Sequence, residues 1–241
     1  MSMDEAFGRR VTKLGALADP VRRALYRFVA DQPGAVSREQ AADGVAVPRH
    51  TAKFHLDRLV DEGLLVTEFR RLTGRTGPGA GRPAKLYRRS GKEVAVSLPH
   101  RSYDLAGDVL ADAVERSLAG TPIEDAVRAA AGDAGARAVE ASEPDPGATD
   151  LDRVAGVLAT FGFEPRVDGD LLLHNCPFDR LASDHTELVC GMNLAFVEAV
   201  ADGLGCTGVE PGLDPDPARC CVRVRDGAAG GAPERGRGAT A

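Results

Sequence analysis

The chain has 241 residues, a net charge of −6 and an apolar fraction of 43%. It is too long for a peptide and too short for more than one large or two small domains, and it has enough apolar residues to exclude wholesale disorder. No apolar run nears the ~20 residues of a membrane span, and Met1 to Arg10 lacks the hydrophobic stretch of a signal peptide, so a cytoplasmic protein with five reduced cysteines is expected.

The charge is unevenly distributed. Residues 1–103 carry 19 Lys and Arg against 11 Asp and Glu, whereas residues 104–241 carry 11 against 25. All five cysteines, at 176, 190, 206, 220 and 221, lie in the acidic half. A basic half joined to an acidic, thiol-bearing half suggests that only the first meets a polyanion.

The first clear helix opens at Asp19-Pro20, with Asp as cap and Pro at the first helical position. Val21, Ala24, Leu25, Phe28 and Val29 give it one apolar face, and Pro33-Gly34 ends it. Ser37 and Gln40 form a capping box for a second helix, which Gly44 should break after Asp43. A third helix runs from Pro48 to Glu62, with Gly63 as its stop and Phe54, Leu56, Leu59 and Val60 as its apolar side. Two helices joined by a short Gly-containing turn match a helix-turn-helix, whose second helix enters the major groove. The residues it would present there are Arg49, His50, Thr51, Lys53 and His55, with Arg58 a turn further on. Arg and Lys can donate to guanine or phosphate, and Thr can meet a thymine methyl.

Strand-like segments follow at 64–67 and 69–72, then a Gly- and Pro-rich stretch at 73–83 and a returning strand at 84–88. A hairpin with a long basic tip after a helix-turn-helix is a wing. It would touch phosphates or the minor groove through Arg70, Arg71, Arg75, Arg82 and Lys85.

The stretch from Pro20 to Arg89, with Val47-Pro-Arg-His-Thr-Ala-Lys-Phe-His-Leu-Asp-Arg-Leu-Val60 and Gly81-Arg-Pro-Ala-Lys-Leu-Tyr87, resembles winged-helix repressors of the ArsR/DeoR-like group. Within that group it most resembles the iron–sulfur-cluster-binding repressors of Suf-type operons. The resemblance covers about residues 15–105 and returns in the cysteine region. It implies a transcription regulator, a repressor, that binds a double-stranded DNA operator and senses redox or iron–sulfur status.

Beyond the wing, Leu105, Val109, Leu110, Ala113, Val114 and Leu118 fall at helical spacing within 103–118. A helix after the wing is a common homodimer interface in proteins that read palindromes. Thr121-Pro122 opens an Ala- and Val-lined helix to about Glu140, and Ser142 to Gly147 is the best internal linker. Asp150 should cap a helix over 151–161, followed by a hairpin of 165–167 and 171–174 around Val167-Asp-Gly-Asp170.

In the cysteine region, Pro177 suits a first helical position, which would make Cys176 an N-cap with thiolate character. Cys190 lies 14 residues on, and one unbroken helix would hold the two about 20 Å apart. Ser183 and Asp184 interrupt the run, and Asp184-x-x-Glu187 reads as a fresh capping box, so a bend could join the sulfurs. Cys206 follows the helix end. Cys220 and Cys221 open a last strand over 222–225, where alternation puts Cys220 with Val222 and Val224.

The spacings lack the Cys-x(2–4)-Cys knuckle common in zinc sites and suit an iron–sulfur cluster, with zinc as the alternative. Cys176, Cys190 and Cys220 lead as ligands, then Cys206, then Cys221. The resemblance allows a different fourth ligand, for which His174 or His185 could serve. No nucleophile–base motif, P-loop or dinucleotide fingerprint suggests an enzyme. The expected fold is α+β and mostly helical. It comprises a winged helix-turn-helix at 15–100, a helical dimerisation linker at 101–148, a small α+β cysteine-containing module at 149–225 and a disordered tail at 226–241.

Overall fold

A computed structural model describes residues 3–71 and 83–227. The chain divides into two compact units, Met1–Val96 and Ser97–Ala241. The fold is α+β and mostly helical, as the sequence leads one to expect.

The first unit begins with α1 (Met3–Gly15), a polar helix absent from the sequence reading, and a single 3-10 turn at Ala16–Ala18. α2 (Pro20–Asp31) starts where the Asp19 carboxylate accepts the Arg22 amide at 2.8 Å, and it buries Leu25 and Val29. A two-residue strand, β1 (Val36–Ser37), precedes α3 (Arg38–Val45), and the Ser37–Gln40 capping box is formed in both directions. Gly44 does not break α3. It lies inside the helix, where an added Cβ would sit 2.1 Å from the Phe28 ring, so the glycine serves close packing. The helix stops instead at Ala46, which turns left-handed at φ 55°.

α4 (Arg49–Asp61) follows, then β2 (Leu65–Arg70) and β3 (Ala84–Arg89). Gly63, at φ 70°, permits the tight exit from α4. β2 and β3 pair antiparallel from Leu65–Arg89 to Arg70–Ala84, and β1 joins the other edge of β3. The core beneath holds Leu25, Val29, Ala41, Ala52, Leu56, Leu59, Leu65 and Tyr87.

In the second unit α5 (Tyr103–Leu118) packs on α6 (Ile123–Glu140), and α6 packs along α9 (Thr186–Gly203). The α6–α9 approach is close because small residues line it. A Cβ on Gly135 would lie 2.6 Å from the Phe196 carbonyl oxygen. The 101–148 helices, expected as a separate linker, therefore share one core with the cysteine-bearing elements. Ser142 to Gly147 is a turn inside this unit, and the division falls at Val96 instead. In α5 the buried side chains are Ala106, Val109 and Ala113, while Val114 and Leu118 stay exposed.

α7 (Asp150–Thr160) is capped by Thr149 rather than Asp150, because the Thr149 hydroxyl accepts the Asp152 amide. β4 (Pro165–Asp168) and β5 (Asp170–Leu173) form the expected hairpin around Gly169. The short helix α8 (Asp179–Asp184) precedes α9, and β6 (Val209–Leu213) and β7 (Val222–Asp226) complete a sheet ordered β4-β5-β7-β6. β6 carries Pro211 and Gly212, which hid it from a propensity reading. The tail assigned from Asp226 lies outside the described residues from 228 onward. Among the described residues no helix is long and apolar enough to cross a membrane.

Candidate nucleic-acid interface and cysteine site

The face that α4 turns outward follows from the one it buries. Ala52, His55, Leu56 and Leu59 are buried and form the i, i+3, i+4, i+7 series of an inward stripe. His55, expected at the base edges, is thereby excluded from them. It is 8% exposed, its Nδ1 accepts the Arg22 Nε–H at 3.4 Å and lies 4.0 Å from Asp19. Phe54, expected in the core, is 65% exposed instead. The sequence reading followed residue type where spacing was the better guide. The exposed face consists of Arg49, His50, Lys53, Phe54 and Arg58, with Thr51 half-buried beside them. An aromatic ring among cations adds an apolar contact suited to a thymine methyl.

Several of the cations are held by acids. Lys53 lies 3.7 Å from Asp57, and Arg58 bonds Glu62 at 2.6 Å. The Lys85 ammonium donates to Asp57 at 2.7 Å, as does the Tyr87 hydroxyl at 3.0 Å. Burial alone would raise the Asp57 carboxyl, but the hydrogen bonds from Lys85 and Tyr87 outweigh it and hold the carboxyl below its ordinary range. Lys85 thus fastens β3 to α4 and orients the helix. Arg70 ends β2 within 3.9 Å of Glu68, and Arg71 is exposed just beyond. Arg75 and Arg82 lie outside the described residues.

The cysteine region differs from expectation in its details. α8 starts at Asp179 with Phe178 as its cap residue, so Cys176 does not cap a helix. Instead, its carbonyl oxygen accepts the Asp179 amide at 3.2 Å in the preceding turn. The break near Ser183 is present, but no side chain caps α9, so the box at Asp184 and Glu187 does not form. The bend nevertheless brings Cys190, on α9, into the neighbourhood of Cys176, Cys220 and Cys221.

These four thiols form a connected set. Cys176 lies beside Cys220, Cys220 beside Cys221, and Cys221 beside Cys190, close enough for each thiol to perturb its neighbour. Cys220 is fully buried and fixed by its own amide, which donates to the Leu173 carbonyl at 2.9 Å. The Cys221 carbonyl accepts the Asp214 amide at 2.7 Å. Asp214 in turn takes the guanidinium of Arg219 at 2.7 Å and that of Arg223 at 3.2 Å. The loop 214–221 is thus locked by charge before it delivers its two sulfurs. Cys206 stands apart, with its sulfur 3.8 Å from the Asp150 carbonyl. The set therefore includes Cys221, placed last by alternation, and not Cys206. His174 and His185 are exposed.

Three of these thiols, Cys176, Cys190 and Cys220, are pushed above the ordinary thiol value. The hydrogen bond to Cys220 and burial push Cys176 well above the ordinary thiol value. For Cys220 the bond from Cys176 pulls down, but the bond to Cys221 and burial win and push it up to about 11. Burial raises Cys190. Among the described residues no three His, Cys, Asp or Glu side chains are spaced as a ready-made metal site. The donors are right in kind for a soft metal, since deprotonated thiolates bind zinc and iron–sulfur clusters. Converging on one centre requires the thiols to lose protons and rotate. Asn193, one turn after Cys190, adds an unmet polar atom: its amide nitrogen donates to the Cys220 sulfur at 3.1 Å, while its Oδ1, in a side chain 1% exposed, has no partner. Its position three residues from Cys190 is the signal that marks it.

Residues 17–68 match the family described as Helix-turn-helix domain, which covers α2 through most of β2. No curated protein and no solved structure matches the chain. The first unit thus contains a helix-turn-helix domain, a type that binds DNA, and α4 is its second helix.

Proposed function

We propose that the chain is a DNA-binding transcriptional regulator, a repressor, whose second unit senses redox or iron–sulfur status. The helix-turn-helix match, together with the exposed cationic face of α4, is the observation that carries DNA binding. Arg49, His50 and Lys53 would meet phosphates or base edges, and Phe54 would make an apolar contact. Arg70 and Arg71 would extend the contact along the wing. Sensing is supported by the gathering of four of the five thiols from three separate chain segments, with the buried Asn193 amide bonded to one of them.

Cys176, Cys190, Cys220 and Cys221 would hold an iron–sulfur cluster, which would supply a redox- and iron-dependent bond between those segments. The exposed Val114 and Leu118 of α5 suit a homodimer contact, through which two copies of α4 would read a palindromic operator. Four thiolates also suit zinc, which would give a structural centre.

The test is the visible spectrum, with iron, sulfide and zinc content, of protein purified without oxygen, followed by duplex selection from a random-sequence pool. Broad absorption near 400 nm with iron and sulfide is expected. Zinc alone overturns the cluster in favour of a structural module, and failure to select any duplex overturns the regulator itself.

A further inference from the structure

One residue of the cysteine set makes contacts at both its ends. The Cys176 side chain meets Cys220, while its carbonyl oxygen accepts two donors. One is the Asp179 amide. The other is the Arg101 guanidinium, at 3.0 Å. The same guanidinium donates to Asn175 Oδ1 and, at 3.2 Å, to Asp179. Arg101 therefore grips three successive parts of the turn that carries Cys176.

The grip extends to both neighbours of Arg101. Asn175 is 7% exposed and uses both amide hydrogens, on the His100 carbonyl at 2.8 Å and the Gly162 carbonyl at 2.6 Å. The Ser102 amide donates to the Pro177 carbonyl at 3.1 Å, and its hydroxyl to the Phe161 carbonyl at 2.6 Å. Gly162, at φ 90°, lets the His100 ring lie where any Cβ would come within 2.8 Å of it. Ser97 closes the segment by accepting the Arg101 amide at 2.8 Å. Buried polar networks with every member satisfied are rigid and respond as a unit.

Residues 97–102 are the first of the second unit, and Val96 is the last of the unit that holds the helix-turn-helix. We infer that Arg101 is a positioning residue that couples the Cys176 turn to the segment joining the two units, so that a chemical change at Cys176 is relayed to residues 97–102. Its use as a signal rests on the sensing reading above, but the coupling itself does not. Displacement of the Cys176 backbone cannot leave Arg101 in place, because the carbonyl of Cys176 and the carboxylate of Asp179 share its charge. A guanidinium only 20% exposed cannot readily give up those partners to water.

The full chain tests this without any metal. N-ethylmaleimide is applied under anaerobic conditions, and mass spectrometry follows both the thiols modified and deuterium uptake at the Arg101 and Ser102 amides. Modification of Cys176 should speed uptake at these amides about tenfold, the scale of losing hydrogen bonds to a charged group. α6 should be unchanged. In Arg101→Lys, which keeps the charge but loses the fork, basal uptake at 97–102 should be raised and should no longer respond to Cys176. A merely structural arginine would raise the baseline and leave the response. Unchanged uptake in the wild-type chain, or an undiminished response in Arg101→Lys, overturns the coupling. If the chain binds no iron and sulfide, the sensing reading fails while these amides still decide the inference.

Discussion

Arginine keeps different company in the two units. In residues 1–96 Arg49 stands exposed on α4 and Arg71 beyond β2, and the acids nearby hold only part of the cationic surface. In residues 97–227 some arginines are tied to aspartates, Arg101 to Asp179, Arg116 to Asp112 and Asp133, Arg153 to Asp150, Arg219 to Asp214 and Asp216, and Arg223 to Asp170 and Asp214, while Arg128, Arg137, Arg166, Arg180 and Arg225 stand exposed. The first arrangement leaves charge for a polyanion. The second spends it on holding loops, including the one that carries Cys220 and Cys221. Both units thus hold paired and exposed cations; what differs is the surplus of carboxylates around those of the second unit, which the net charge of the halves already marks.

The strongest way to break this comparison is to remove each unit's core in turn. Leu56→Ala, at a fully buried position of α4, should cost about 3 kcal/mol and abolish duplex binding while leaving exchange protection in α6 and α9 unchanged. Gly135→Val should push α9 away from α6 at a cost of about 2–3 kcal/mol, since the new side chain meets the Phe196 backbone. Here protection in α6 and α9 should fall while residues 3–71 keep theirs. Hydrogen exchange with site resolution separates the two outcomes, and a common loss of protection in both variants would show that the units stand or fall together.

Asp57 sharpens the comparison where an acid fastens β3 to the second helix of the helix-turn-helix match. Asp57→Asn should cost about 1–2 kcal/mol at neutral pH through weaker bonds to Lys85 and the buried Tyr87 hydroxyl. Because the folded carboxyl titrates below its ordinary range, its contribution is complete above that range and disappears as pH falls through the folded value. The gap between wild type and variant should therefore close on acidification. Urea unfolding at neutral and acid pH checks the sign, and a gap that widened toward acid would refute it.

The exposed cations give a smaller effect of a different kind. Arg49→Ala should weaken binding to a selected duplex about tenfold and reduce the salt slope by about one, with unfolding unchanged. Arg116→Ala removes the same group from the acidic unit and should leave duplex affinity as it was. Equal losses in the two variants would deny that the α4 face makes the contact.

How far these features could be read from the sequence depended on how local they were. Asp19, Ser37 and Gln40 announce their helices because a cap involves residues three apart. His55 and Phe54 were exchanged because residue type was given more weight than the 52, 55, 56, 59 spacing, and a histidine between Asp19 and Arg22 can satisfy its nitrogen inside. β1 is two residues long and has no period to read; only its partner β3 makes it a strand. The thiols were legible as a group and not as a geometry. Whether Cys206 or Cys221 joins them depends on a charge lock at Asp214 that no motif announces and on the pairing of Cys220 with Leu173, a contact between distant segments.

Caps provide the finest comparison between the units. Ser37 is 8% exposed; its hydroxyl accepts the Gln40 amide at 3.1 Å, and its own amide donates to Gln40 Oε1 at 2.8 Å. Thr149 is a one-way cap at 3.2 Å on an exposed helix start. Ser37→Ala leaves an amide in a poorly hydrated position and loosens β1 as well as α3, so it should cost about 1–2 kcal/mol. Thr149→Ala should cost about 0.5–1 kcal/mol, since water can replace the hydroxyl. Asp150→Ala, the residue the sequence favours as the cap, removes only a partly exposed pair with Arg153 and a long contact to the Gly208 amide. It should cost less than Thr149→Ala, and urea midpoints in the reverse order would return the cap to Asp150.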